Sequence, residues 1–84
     1  MLKLKIVTPE RIAYDGEVSS VLVPGTMGQF EILTGHAPII SSLGKGVVEY
    51  ATGDGKQQVT VLGGFVSVQH DEVSLCVEVD EAEE

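Results

Sequence analysis

Apolar and polar residues alternate along this chain in short runs, and that period of two limits the possible folds more than any other feature. In "DEVSLCVEV", Val73, Leu75, Val77 and Val79 fall on one side, opposite Glu72, Ser74, Cys76 and Glu78. "LKLKIVT" puts Leu2, Leu4 and Ile6 on one face. "QVTVL" sets Val59 and Val61 against Thr60, and "FVSVQ" pairs Val66 with Val68. Successive side chains of a strand point to opposite faces, so each run reads as a strand with one face packed and one wet. Turn signals separate the runs: "TPER", "YDGE" with Gly16, "PGTMG" after Val21 and Val23, "TGDGKQ", Gly63-Gly64 and "QHDE". Asp54-Gly55 is the strongest hairpin signal among them. "APIISSL" (37–43) fits either an extended segment or one helical turn.

These signals predict an all-β fold, a small antiparallel β-sandwich of roughly eight to ten short strands. The 84 residues allow one domain, with no internal repeat and no linker. Only four aromatics are present and no tryptophan, so Val, Leu and Ile must fill the core. The last alternating run ends at Val79. The expected division is therefore a sandwich over 1–79 and an acidic tail over 80–84, carrying Asp80, Glu81, Glu83 and Glu84.

Charge narrows the partners. Thirteen acidic side chains against five basic ones give a net charge of −8. Phosphate backbones attract Lys and Arg, so nucleic acid is disfavoured, as is direct docking on anionic lipid. No run approaches the ~18 apolar residues of a membrane helix. "MLKLKIVTPE" lacks the unbroken apolar stretch of a signal peptide, because Lys3 and Lys5 interrupt it. Cys76 is the single cysteine, so no disulfide forms within the chain and a reducing compartment fits.

The candidate chemistry is thin. "PGTMG" lacks the Lys and Ser/Thr of a phosphate loop, and "GKG" (44–46) lacks the third glycine of a dinucleotide fingerprint. These glycines read as turn positions or as places where backbones approach closely. His36 stands between Gly35 and Ala37-Pro38, where it can organise a loop by a hydrogen bond, contact a partner or act as a base. Catalysis would need a nucleophile and an orienting carboxylate, and only Glu31 is near in sequence. His70 reads as a solvated turn residue. Cys76 reads as a small structural side chain, packed under a loop, rather than as a reactive thiol. Glu10, Asp15, Glu17, Asp71 and Glu72 fall in or beside turns and read as solvated surface. Two histidines 34 positions apart and one cysteine do not make a zinc site. No catalytic residue, metal or cofactor is expected.

Six segments in order carry a resemblance: "KIVTPER", "YDGEV", "VPGTMGQFEIL", "GHAPII", "GKGVV" and "LGGFVSV". Together they resemble the N-terminal β-sandwich domain of the epsilon subunit of F-type ATP synthase, called delta in mitochondria. The resemblance implies a non-catalytic part of the central-stalk rotor, which binds the gamma subunit and seats on the c-ring. It implies a place at the cytoplasmic face of a bacterial inner membrane, peripheral through the complex, with proton or sodium ions as the translocated species. Thr8, His36, Ala37 and Pro38 match positions that the family places by gamma. Met27, Gln29, Phe30 and Glu31 match the region near the c-ring. Glu31 stands where the family usually has glycine, and Thr34 where proline is common. The family's C-terminal helical hairpin, which carries inhibition of ATP hydrolysis, has no counterpart in these residues, so a short form without that latch is expected. The reading from another class is a free-standing β-sandwich enzyme or small-ligand binder. A convergent polar pocket would favour that reading, and an exposed apolar patch would favour the stalk subunit.

Overall fold

The computed structural model describes residues 1–79, so the acidic tail expected over 80–84 lies outside the described residues. Nine strands and no helix are found among the described residues: β1 Leu2–Val7, β2 Ile12–Val18, β3 Ser20–Gly25, β4 Gly28–Leu33, β5 Ile39–Leu43, β6 Gly46–Thr52, β7 Gly55–Val61, β8 Gly63–Gln69 and β9 Glu72–Glu78. The ambiguous segment is thus extended from Ile39 onward. Lateral pairing runs β2-β1-β9-β8-β5 and β4-β3-β6-β7, and the single pair Gly25↔Leu43 joins the two series. At that joint the sheet curls into two layers. β2 comes back against β6, where the Tyr14 and Tyr50 rings meet with centroids 4.6 Å apart. The shortest dimension, 18 Å, is that of two packed sheets.

The alternation sets the core. Leu2, Leu4 and Ile6 from β1 and Val73, Leu75 and Val77 from β9 are buried with Val66 and Val68 of β8. They face Val21, Val23, Ile32, Val48, Tyr50 and Val61 from the other layer. Each aliphatic side chain so placed contributes about 1.5–3 kcal/mol relative to exposure. Burial, and to a lesser degree Tyr14, pushes the Tyr50 hydroxyl above its ordinary value of 10.0.

Several features differ from the sequence reading, among them that Gly63-Gly64 opens β8 rather than forming a turn. β1 and β9 run parallel, with Ile6↔Leu75 in register, so the antiparallel sandwich contains one parallel pair. Gly16 lies inside β2 opposite Leu4 and makes no turn. The β6–β7 loop is Gly53-Asp54, one residue earlier than the Asp54-Gly55 signal, because Thr52 pairs with Gly55. Val59, expected in the core, is only half-buried, since β7 is an outer strand of its layer.

Candidate functional site

The predicted site residues divide into three places. Thr8 follows β1 and is the buried polar residue of the chain's described part, 4% exposed. Its hydroxyl donates to the Arg11 carbonyl at 3.1 Å and accepts from the Arg11 N–H at 3.2 Å. The side chain therefore closes the "TPER" turn.

Met27 sits at the tip of the β3–β4 hairpin and is 99% exposed. The tip is held: Thr26 N–H donates to the Ser42 carbonyl at 3.1 Å, and the two hydroxyls are 2.8 Å apart. Beyond it, "GQFEIL" forms strand β4. Gln29 and Glu31 occupy its exposed phase. Phe30 occupies the other phase, half-buried against the core, so its ring turns away from the face that Gln29 and Glu31 present.

His36, Ala37 and Pro38 lie in the segment between β4 and β5. The His36 N–H donates to the Leu33 carbonyl at 3.0 Å, closing a turn. Its Nδ1 lies 2.7 Å from the carbonyl of the next residue, Ala37, so the ring organises only its own neighbourhood. The longer-range anchor is Asp71. Its Oδ1 accepts from the Gly35 N–H at 2.7 Å, and its carbonyl accepts from the Lys3 N–H at 2.9 Å. Asp71 and His70 form the two-residue β8–β9 turn with φ of 59° and 52°, a conformation that Asn, Asp and Gly favour. Asp71 thus corrects its sequence reading as a solvated turn carboxylate. Asp71→Ala should speed hydrogen exchange of the Gly35 amide about tenfold, the equivalent of one charge-assisted hydrogen bond of roughly 1.5 kcal/mol. Asp71→Asn, which still accepts and tolerates the left-handed turn, should largely preserve protection. Unchanged exchange in Asp71→Ala would remove Asp71 from this role.

Register shows how these places relate. One row crosses the first layer through Ser42, Phe65, Cys76 and Val7; the next crosses through Ile40, Ser67, Ser74 and Lys5. These side chains lie on the outer phase, opposite the buried Val66, Val68, Leu75 and Val77. The face carries two bare apolar side chains, Ile40 at 80% and Phe65 at 60% exposure. Cys76 lies between Phe65 and Val7 and is exposed, not covered by a loop as expected. Thr8 borders this face at one end and Pro38 at the other, where Pro38 lines a shallow hollow with Ile40 and Ser67. Thr8 and His36 are therefore brought to one sheet face from opposite ends, not to one pocket. Ile40 and Phe65 did not stand out in the sequence. The usable signal was a large apolar residue on the wet phase of an alternating strand.

Residues 1–83 match the family described as ATP synthase, Delta/Epsilon chain, beta-sandwich domain. The chain belongs to this family. Among its relatives, the ATP synthase epsilon chain of Gloeothece citriformis is 41% identical over 81 residues, covering 96% of this chain and 59% of the relative. That of Leptospira interrogans is 42% identical over 74 residues, covering 88% and 58%. This delta/epsilon-family chain thus spans just under three fifths of the length of those curated relatives. Its fold is similar to a chain in the cryo-EM structure of the Euglena gracilis mitochondrial ATP synthase, OSCP/F1/c-ring, in rotational state 1. That match has a TM-score of 0.84 at 22% identity, over 98% of this chain and 57% of the other. No helix among the described residues is long and apolar enough to cross a membrane.

Proposed function

We propose that this chain serves as the sandwich part of a non-catalytic central-stalk subunit in the rotor of a proton- or sodium-translocating F-type ATP synthase. It docks on the gamma subunit through the outer face of β1, β9, β8 and β5, and turns the Met27 hairpin tip, with Gln29 and Glu31, toward the c-ring. Its place is at the cytoplasmic face of a bacterial inner membrane, reached through the complex. The observation that carries this reading is the pair of bare apolar side chains, Phe65 and Ile40, on one outer sheet face bordered by Thr8 and by the His36–Pro38 segment. Two large apolar side chains left bare on the outer phase of an already packed layer, among serines and small residues, suit a surface that a partner covers. Membership of the family and the likeness to epsilon chains support an ATP synthase as the partner complex.

The ligand-binder reading gains nothing from the geometry. The groove of about 470 Å³ between Thr8 and Phe65 has a mainly apolar lining, and its one hydroxyl is already bonded to Arg11. Phe65→Asp and Ile40→Asp should leave the isolated fold intact, since exposed substitutions usually stay within about 0.5 kcal/mol. Each should weaken binding to the catalytic head with its gamma subunit, depleted of this chain, by about 30-fold, the effect of losing an interface anchor. Thr60→Asp, on the opposite layer, is the control. Parent-like binding by both face variants would overturn the docking assignment.

A further inference from the structure

The docking face is indented at its Thr8 end. Beside Thr8 runs a groove of about 470 Å³, walled by Val7, Pro9, Phe65 and Cys76 and floored by Gly63 and Gly64. The two floor glycines differ in what the fold asks of them. A Cβ on Gly64 would collide with the Cys76 carbonyl oxygen and come within 2.7 Å of the Val77 Cα, so the strand pairing requires glycine there. A Cβ on Gly63 would meet nothing closer than the Leu43 carbonyl oxygen at 3.5 Å, an ordinary contact, and its φ is not positive. The fold has room for a side chain at 63. By strand alternation that side chain would share the outer phase with Phe65 and enter the groove. Glycine at this position leaves the groove open without being needed for folding.

The rim is acidic. Glu78 is the cross-strand partner of Gly63 and is exposed. Glu10 lines an adjoining hollow with Pro9, Leu62 and Glu78. An apolar slot beside carboxylates, on a chain of net charge −8, complements an apolar side chain with a cation next to it.

We infer that this groove receives one aliphatic or aromatic side chain of the stalk partner, flanked by a Lys or Arg that reaches Glu78. The inference rests on the docking reading above and adds the chemistry of the anchor. Gly63→Leu fills the slot from within, and Glu78→Gln removes the rim charge. Binding to the catalytic head with gamma, depleted of this chain, is measured for both at low and moderate salt, beside Ile40→Asp, which lies on the same face outside the groove. Thermal melts of each variant confirm folding, and Gly63→Ala serves where Gly63→Leu melts early.

Gly63→Leu is expected to weaken binding at least about tenfold, and Glu78→Gln several-fold with a flatter salt dependence. If Ile40→Asp weakens binding and Gly63→Leu does not, the face stands and the groove inference falls. If neither weakens binding, the docking reading falls and the groove inference with it. A self-associated form of the isolated chain that Gly63→Leu dissociates, with head binding unchanged, would make a second copy the occupant and overturn the inference.

Discussion

Leu75→Ala is expected to lower the melting temperature of the isolated domain by roughly 10–25 °C, from a loss near 3 kcal/mol at about 4–8 °C per kcal/mol for a chain this size. Leu75 is fully buried on β9, with Ile6 beside it on β1 and Val66 on β8, both buried as well. It therefore stands where the parallel and antiparallel pairings meet, and neighbours on both flanks are fixed by strand hydrogen bonds. Such a site collapses only partly around the missing atoms, which keeps the cost above the low end of the roughly 2–5 kcal/mol range for Leu→Ala. Small domains hold only about 0.05–0.15 kcal/mol per residue in reserve, so a single truncation removes a large share. A circular-dichroism melt checks it. A shift below about 5 °C would mean that this part of the core is loosely packed.

The core was legible because burial in a strand depends on parity alone. Leu4, Ile6, Val21, Val61, Val66, Val68, Val73, Leu75 and Val77 all follow from local alternation, and all are buried. Neighbours in the sheet were not legible, because alternation assigns faces and not partners. The β1–β9 parallel pair joins segments about seventy positions apart, and nothing in either run encodes it. Gly16 looked like a turn because Asp15-Gly16 is a turn dipeptide, yet pairing with Leu4 overrides that preference. The candidate site was legible in outline only. The segments around Thr8, Met27 and His36 could be located, but the placement of Thr8 and the His36–Pro38 segment at opposite ends of one sheet face is a consequence of register. Asp71 reaches Gly35 across 36 positions, so no local motif could connect them. Phe65 was readable in principle, standing on the wet phase next to Val66. Its meaning appears only when Ile40 arrives on the same outer phase from β5, one row away.

Gly64→Ala should cost about 3–5 kcal/mol and leave little folded protein at physiological temperature, combining backbone strain with overpacking. Gly64 has φ of 149°, where a side chain is strained whatever the space around it. It also pairs with Leu43 on one flank and Val77 on the other, so both neighbouring strands hold the backbone in place. The added Cβ would press into the Cys76 carbonyl, which belongs to the β8–β9 ladder and cannot swing aside as a side-chain tip would. Relief would require parting β8 from β9 at the row that also fixes Phe65 beside Cys76. Folding and docking therefore depend on adjacent residues here, and the glycines separate them. Gly63→Ala should fold like the parent, and so should Gly53→Ala, whose Cβ would meet nothing within 4 Å. The check is a side-by-side urea titration of the three alanine variants. Near-parental stability in Gly64→Ala would show that the ladder yields at this point, and the required geometry of the β8–β9 pair would have to be abandoned.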